Sequence, residues 1–390
     1  MKLLIYSHFF APSVGGVETL VLSLARGLAG LHAADDRPQF EVTLVTQTPA
    51  EGFDDAALPF RVLRQPKSTR LWGLIRASNV VHVAGTALAP MILGLLARKP
   101  VVVEHHGFQT VCPNGQLLIE PADIPCPGHF MAGNYNECLR CNASRKGWAA
   151  SLKLWLLTFV RRFVCARVSR NITPTAWLGG LVQLPRVAAI PHGLEFVGAP
   201  RPKAETVSSG PPVIAFQGRL VSTKGVAILL KAARNLFTQN RAFELLIIGD
   251  GPERATLERA SQVAPLAGRV RFAGKLTEAQ LDVALAEASV VVVPSLGGEV
   301  FGLVVAENMA RGLPVITSDL GAFVEVVGEG GLTFRTGDAD SLAEKLAEVI
   351  DDPELAARLA QAGRQRALEF CDYRQMLQSH VRVYRNAVPD

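Results

Sequence analysis

Two carboxylates, Glu299 and Glu307, stand with seven residues between them in the segment Pro294 to Glu307. The apolar run Val290–Val293 comes just before, so the segment leaves the carboxyl end of a strand and opens a helix. Glu299 falls in the loop and Glu307 inside the helix. The amides of Gly302, Leu303 and Val304 would then lie in the first helical turn, where N–H groups lack intrahelical partners and the dipole favours an anion. A carboxylate beside a phosphate would repel it, so these two side chains suit the hydroxyls of a sugar or a ribose. The plainer alternative is a first-turn Glu favoured by the dipole and a second, solvated Glu.

A second strand, Val213–Gln217, runs into Gly218-Arg219-Leu220-Val221-Ser222-Thr223-Lys224-Gly225. A guanidinium fork and an ammonium point charge among glycines suit a diphosphate. Lys224 as a merely solvated first-turn residue is the alternative. Gly249-Asp250-Gly251-Pro252 follows another strand and is either a tight turn or a ligand cradle. In the first half, Gly15-Gly16 follows a strand and opens a helix, which lets backbone amides approach a phosphate closely. The full Gly-x-Gly-x-x-Gly spacing of a dinucleotide site is missing there. His105 and His106 end the strand Pro100–Glu104, at an edge where a His can meet a substrate hydroxyl or move a proton. One of the two is expected to be structural.

Positioning these loops takes a repeated β–α rhythm. Lys2–Ser7, Phe40–Thr46, Phe60–Arg64, Asn79–Val83 and Pro100–Glu104 read as buried strands, with helices Val14–Ala29, Trp72–Ala77 and Thr86–Arg98 between them. The rhythm restarts after Gly193–Pro212, a Pro-, Gly-, Ser- and Lys-containing linker. Val213–Gln217, Phe243–Ile248, Arg269–Ala273, Val290–Val293, Pro314–Thr317 and Gly331–Phe334 follow as strands. Alternation of this kind predicts parallel sheets with helices on both faces and ligands beyond the strands' carboxyl ends. The fold class is α/β, with two doubly wound Rossmann-like domains. They span residues 1–195, with a Cys-containing insertion at about 107–146, and residues 196–371. Asp352–Asp390 reads as helical, its last part (372–390) packing back on the first domain.

Composition narrows the class. A chain of 390 residues exceeds one ordinary core. Hydrophobic content of 49% with 19% charged residues excludes a disordered chain. Six Cys are too few for a secreted disulfide scaffold. Met1 to His8 is too short an apolar stretch for a signal peptide. The longest apolar candidate for a membrane span, Trp148 to Cys165, is broken by Lys153, Arg161 and Arg162. A soluble, cytoplasmic protein is expected. The charge is uneven: residues 1–200 carry 19 Lys+Arg against 12 Asp+Glu, which invites phosphate, nucleic acid or an anionic membrane.

Together these loops resemble the retaining GT-B glycosyltransferases grouped as GT4. The match is carried by Gly15-Gly16, His106-Gly107, Gly218-Arg219-Leu220 with Lys224-Gly225, and Gly249-Asp250-Gly251-Pro252. It continues through Glu299 and Glu307 across Phe301-Gly302-Leu303, then Gly312-Leu313-Pro314-Val315-Ile316, and covers nearly the whole chain. The resemblance implies a GT-B fold whose two domains face a central cleft, the first holding the acceptor and the second the nucleotide sugar. It implies metal-independent transfer, with retained anomeric configuration, from a UDP- or GDP-sugar to a glycan or lipid-linked acceptor of cell-surface polysaccharide, lipopolysaccharide or glycolipid. The catalytic residues it implies are His106, Arg219, Lys224 and Glu299. Arg219 and Lys224 would neutralise the departing diphosphate, Glu299 would hold the donor sugar's hydroxyls, and His106 would touch the sugar near the reacting carbon. Donor binding falls to Gly16, Gly218, Gly251, Phe301, Gly302, Leu303 and Glu307, with Glu307 on the ribose. The leaving phosphate would take the acceptor's proton, so neither a separate base nor a catalytic cofactor is required. Asn308 departs from the Ala common at that place. Rival readings are a nucleotide-sugar epimerase on the same fold and an inactive nucleotide-sugar-binding relative. A nucleic-acid partner is not expected, since the basic stretch carries no recognition motif.

Three segments stand outside that pattern. Asp338-Ala339-Asp340 imitates a metal-binding carboxylate pair, but it precedes the helix Ser341–Ile350, so capping is the better account. Cys112, Cys126, Cys138 and Cys141 lie within thirty residues, and Cys138 and Cys141 have zinc-knuckle spacing with His129 nearby. Four thiolates could close a structural Zn²⁺ site; a redox pair or thiols packed as small apolar groups are the alternatives. From Arg140 to Arg170 eight basic residues and no acid are interleaved with Trp148, Leu152, Trp155, Leu156, Phe159 and Phe163. That pattern fits a helix lying on an anionic membrane, hence a peripheral place at the inner face of the cell membrane. A helix buried in the first domain with a solvated basic edge is the alternative.

Overall fold

The computed structural model describes residues 1–13, 15–33, 35–195 and 210–388. Most of the linker expected at Gly193–Pro212 lies outside the described residues. The chain divides into two units: residues 1–116, 128–195 and 373–390 in the first, and 117–127 and 196–372 in the second.

Strands in chain order are β1 (Lys2–Ser7), β2 (Glu41–Thr46), β3 (Arg61–Arg64), β4 (Val80–Ala84), β5 (Val101–Glu104), β6 (Leu118–Ile119), β7 (Ile124–Pro125), β8 (Arg170–Thr173) and β9 (Val187–Ala189). The first unit's sheet has seven strands in the order β3-β2-β1-β4-β5-β8-β9, paired in parallel. Its strands are apolar on both faces, as a doubly covered sheet requires. The period of two sorts them into two cores. Leu3, Ile5, Val42 and Leu44 face the helices Gly16–Ala29 and Tyr373–Ala387, whereas Leu4, Tyr6, Val45 and Val81 face Leu71, Ile75, Met91 and Val164. β8 and β9 are absent from the sequence expectation. They are short, and Arg170, Asn171 and Thr173 break the apolar pattern that marks the others.

The C-terminal helix Tyr373–Ala387 belongs to the first unit. Tyr373 Oη donates to the Ser23 carbonyl at 2.8 Å. Gly27 makes that approach possible: a Cβ there would stand 2.4 Å from Tyr373 Oη.

In the second unit, β10 (Val213–Gln217), β11 (Glu244–Ile248), β12 (Val270–Gly274), β13 (Val290–Val293), β14 (Val315–Ser318) and β15 (Leu332–Phe334) form a parallel six-stranded sheet, ordered β12-β11-β10-β13-β14-β15. The order reverses between β10 and β13. There the loops leaving two neighbouring strands turn to opposite faces and open a crevice, the switch point at which such sheets bind ligands. The loop after β10 carries Arg219 and Lys224; the loop after β13 carries Glu299. β6 and β7 form an antiparallel hairpin, residues 117–127, that belongs with this unit, although the sequence reading placed the whole insertion in the first domain.

Candidate functional site

At the second unit's switch point Lys224 Nζ lies 2.5 Å from Glu299 Oε1. Ser295 Oγ donates to the same oxygen at 2.9 Å, and Ser318 Oγ donates to the Ser295 carbonyl at 2.6 Å. A buried chain of two serines on adjacent strand ends thus aims the Glu299 carboxylate. The two loops are stitched together by Leu296 N–H donating to Thr223 O at 2.8 Å. Gly225 permits this closeness: it has φ +70°, and a Cβ there would stand 1.9 Å from the Pro294 carbonyl oxygen. Arg219 extends into solvent from the same loop, without an ion-pair partner among the described residues.

The helix Leu303–Ala310 begins at Gly302, whose φ of +100° is a left-handed conformation that favours glycine. Its first amides, at Leu303 and Val304, have no carbonyl one turn back to bond. Phe301 is buried and stacks on Phe370 with centroids 6.2 Å apart, which fixes the loop just ahead of those amides. Glu307, half-buried, sits one turn further along. Burial raises its carboxyl above the ordinary Glu range; Arg311 opposes the shift and Glu278 adds to it. Gly218 and Gly251 belong to the neighbouring turns. Gly218 N–H donates to Ile248 O at 3.0 Å, and Gly251 N–H donates to Asp250 Oδ1 at 2.7 Å. The second unit therefore brings Arg219, Lys224, Glu299, Phe301, Gly302, Leu303 and Glu307 onto loops and a helix at one sheet edge.

Asn308 is buried, and its amide donates to Gln217 Oε1 at 3.0 Å and to Val304 O at 2.7 Å. It ties the Glu307 helix to the end of β10, a role that an Ala could not fill. The insertion's hairpin packs on the same edge: a Cβ on Gly297 would stand 2.6 Å from Leu118 Cγ. Ser295 and Leu118 carried no sequence signal, since a lone Ser and a lone Leu form no motif. Asp338 caps the helix Ala339–Asp351, accepting from Asp340 N–H and Ser341 N–H at 3.0 Å, as its place in the sequence suggests.

In the first unit, Gly16 opens its helix with Gly15 as the N-cap. His105 is turned into the core, with Nε2 3.0 Å from Asn171 Oδ1, and burial lowers its imidazole to about 4. The His106 ring is buried too. Its Nε2 lies 3.8 Å from Glu104 Oε2, and the ring stacks on His192 at 5.5 Å. Glu104 is completely enclosed by His82, His106, His192 and His380. Burial alone would raise its carboxyl, but the imidazoles around it hold it well below the ordinary range. His82, His192 and His380 were missed because single histidines scattered across a chain show no spacing; only the sheet and the C-terminal helix gather them.

The insertion holds the helix Tyr135–Lys146, and the helix Trp148–Cys165 follows it. Cys112 Sγ donates to Asn114 Oδ1 at 2.9 Å, and Asn114 Nδ2 reaches Cys141 Sγ at 3.7 Å. Cys138 is buried one turn before Cys141, while Cys126 falls in the second unit. On the second helix Trp148, Leu152, Leu156 and Phe163 are exposed, Trp148 by 64%. Arg162 faces inward and donates to the Thr110 and Val182 carbonyls. No helix among the described residues is long and apolar enough to cross a membrane.

Residues 201–366 match the family model described as glycosyl transferases group 1. The glycogen synthase of Mycobacterium tuberculosis is 30% identical over 292 residues, covering 73% of this chain and 69% of that protein. The chain belongs to the group 1 glycosyl transferases. Within that family, the phosphatidyl-myo-inositol mannosyltransferase of Mycolicibacterium smegmatis is 34% identical over 199 residues, half the length of each chain. A GDP-mannose-dependent monoacylated alpha-(1-6)-phosphatidylinositol monomannoside mannosyltransferase of Corynebacterium glutamicum is 26% identical over 93% of this chain and 92% of that one. Among solved structures, Anabaena HepE in complex with UDP and glucose superposes with a TM-score of 0.70 at 17% identity, covering 98% of both chains. The fold of this group 1 glycosyl transferase is GT-B.

Proposed function

We propose that the chain transfers a sugar from a UDP- or GDP-sugar to a lipid-linked acceptor, with retention of anomeric configuration and without a catalytic metal. The observation that carries this reading is the Lys224–Glu299 pair at the switch point, on the loops that carry the exposed Arg219 and lead into the Glu307 helix. Arg219, Lys224 and the Leu303 and Val304 amides would receive the diphosphate as charge builds on it, the interaction that lowers such barriers most. Glu299 would give its second oxygen to a hydroxyl of the donor sugar, and Glu307 would accept from the ribose. In the transfer the bond from the anomeric carbon to the diphosphate breaks and the bond to the acceptor oxygen forms on the same face. The acceptor's proton goes to the departing phosphate oxygen. Mannosyltransferases of phosphatidylinositol lipids among the relatives support a lipid-linked acceptor. So does the exposed Trp148–Phe163 stripe, set in a stretch from 138 to 194 that contains no acidic residue.

The test is transfer to a phosphatidylinositol-type acceptor from UDP-glucose, UDP-galactose and GDP-mannose, each in EDTA, with the product's anomeric configuration read by NMR. Retained configuration with one nucleotide sugar is expected. Nucleotide binding without transfer, or an isomerised donor without an acceptor, would overturn the reading. Trp148→Ser with Phe163→Ser should weaken co-sedimentation with anionic vesicles at least tenfold; unchanged binding would remove that face from membrane contact.

A further inference from the structure

We propose that Gln217 is a further donor-binding residue: held in place by Asn308, its side-chain N–H groups donate to a ribose hydroxyl of the nucleotide sugar. Such a contact deepens the donor site above and rests on reading that sheet edge as the nucleotide site.

Hydrogen-bond valence fixes which way the Gln217 amide is turned. Asn308 Nδ2 lies 2.7 Å from the Val304 carbonyl, which can only accept, so turning the Asn308 amide round would set two oxygens against each other. The same nitrogen lies 3.0 Å from Gln217 Oε1. A primary amide has two hydrogens to give, and these two oxygens take both. Gln217 must therefore present its oxygen to Asn308 and its nitrogen elsewhere. That nitrogen has no hydrogen-bond partner among the described residues, and it is not sealed from solvent. Asn308 is fully buried, and its Oδ1 is without a partner among the described residues. An unpaired buried acceptor opposes folding, so packing alone gives no reason for an asparagine here. Holding Gln217 in one orientation does.

The sheet decides where the free donors lie. Ile214 and Phe216 of β10 enter the core that includes Leu229 and Leu230 of the helix Val226–Thr238. Side chains alternate along a strand, so Ala215 and Gln217 face the opposite layer, which holds the helix Leu303–Ala310. Gln217 is the last residue of β10, and Gly218 and Arg219 follow it directly. Its N–H groups thus stand at the carboxyl edge of the sheet, beside the reversal of strand order, on the side that carries the Glu307 helix. The chemistry of the two side chains is complementary. An ionised Glu307 can only accept, so it takes the hydrogen of a ribose hydroxyl and leaves that oxygen's lone pairs open. Gln217 supplies the donor that Glu307 lacks. A hydroxyl that meets both uses its hydrogen and a lone pair at once, and a site built this way rejects a nucleotide without that hydroxyl.

The experiment is calorimetric titration of the full chain with UDP and with GDP, the tighter of the two being carried forward beside its 2′-deoxy and 3′-deoxy forms. Gln217→Met, similar in volume but without a donor, should weaken the parent nucleotide about 5–10-fold. Its melting temperature without ligand should move by no more than about 2 °C. With one of the two deoxy forms, already weaker, the same substitution should cost nothing further, because the oxygen that Gln217 meets is gone. Asn308→Ala frees the carboxamide to turn and should weaken the parent nucleotide about threefold. The double variant should bind no more weakly than Gln217→Met alone, since Asn308 acts through Gln217. Losses that add would overturn the positioning role of Asn308. Unchanged affinity in Gln217→Met would overturn the contact, and so would an equal loss with the parent and both deoxy forms. These Gln217→Met comparisons stand whether or not Asn308→Ala folds. A wild-type chain that binds neither UDP nor GDP would instead overturn the donor site itself, and the contact with it.

Discussion

The two sheets share one architecture but handle charge in opposite ways. In the second unit Lys224 and Glu299 meet at the switch point with side chains 31% and 13% exposed, within reach of solvent. In the first unit Glu104 is sealed beneath four histidines, each ring buried. A pair near water costs little to separate, so in the proposed function an arriving diphosphate would take the ammonium from the carboxylate. A buried charge cannot be re-partnered without another charge of the same sign, so the first cluster is built for permanence. A binding site needs the first kind of electrostatics and a structural core tolerates the second.

The largest effect expected from this difference is that of Lys224→Ala. Turnover should fall about 10²–10³-fold, the loss typical of one donor removed from a developing oxyanion. Stability should change by no more than about 1 kcal/mol, because a pair this open contributes little to folding. Steady-state kinetics beside urea melts give both numbers. Unchanged turnover would remove Lys224 from the diphosphate and erase the contrast between the units.

Asn171→Ala should behave in the reverse manner. In the first unit's core Asn171 accepts from His105 and donates to the Cys165 and Pro185 carbonyls. Its removal leaves buried polar groups unsatisfied and should cost about 2–3 kcal/mol in urea unfolding. Affinity for a nucleoside diphosphate, which the proposed function assigns to the other unit, should stay the same. A large loss of affinity would mean that the two sites are coupled.

Legibility from sequence followed the same division. The second unit's loops could be read because each sits directly after an unbroken apolar strand such as Val290–Val293, and because Arg219-to-Lys224 and Glu299-to-Glu307 are local spacings. All six of its expected strands appear at or within a residue or two of the expected ends. In the first unit β8 escaped notice because Asn171 and Thr173, although buried, read as polar loop, and β9 because its three residues Val187–Ala189 are too short a run to mark a strand. The Glu104 cluster escaped for a different reason. Its histidines come from positions 82, 106, 192 and 380, and only the completed topology makes neighbours of them. The hairpin at 117–127 shows the same limit: Leu118 is legible as apolar, but its packing against Gly297 is not.

Glu307 gives the smallest effect and the finest test, because it lies between the two kinds of electrostatics. It is half-buried beside a proposed ligand, and burial is the main cause of its raised carboxyl pKa, with Glu278 adding and Arg311 opposing. As pH falls, Glu307 therefore takes up a proton before an exposed Glu would. The neutral acid is a poorer acceptor for ribose hydroxyls, so nucleotide affinity should decline on the acid side, beginning above the ordinary Glu range. Glu307→Gln should lower affinity about tenfold at neutral pH, near 1.4 kcal/mol, and flatten that acid limb. The stability sign runs the other way. A carboxyl whose folded pKa is raised holds its proton more tightly in the folded state, so its ionisation costs stability at neutral pH. The Gln variant should then melt slightly higher without ligand while binding nucleotide more weakly, when both are measured by calorimetry. A variant that lost both stability and affinity would place Glu307 with the Glu104 cluster, as a structural charge rather than a ligand contact.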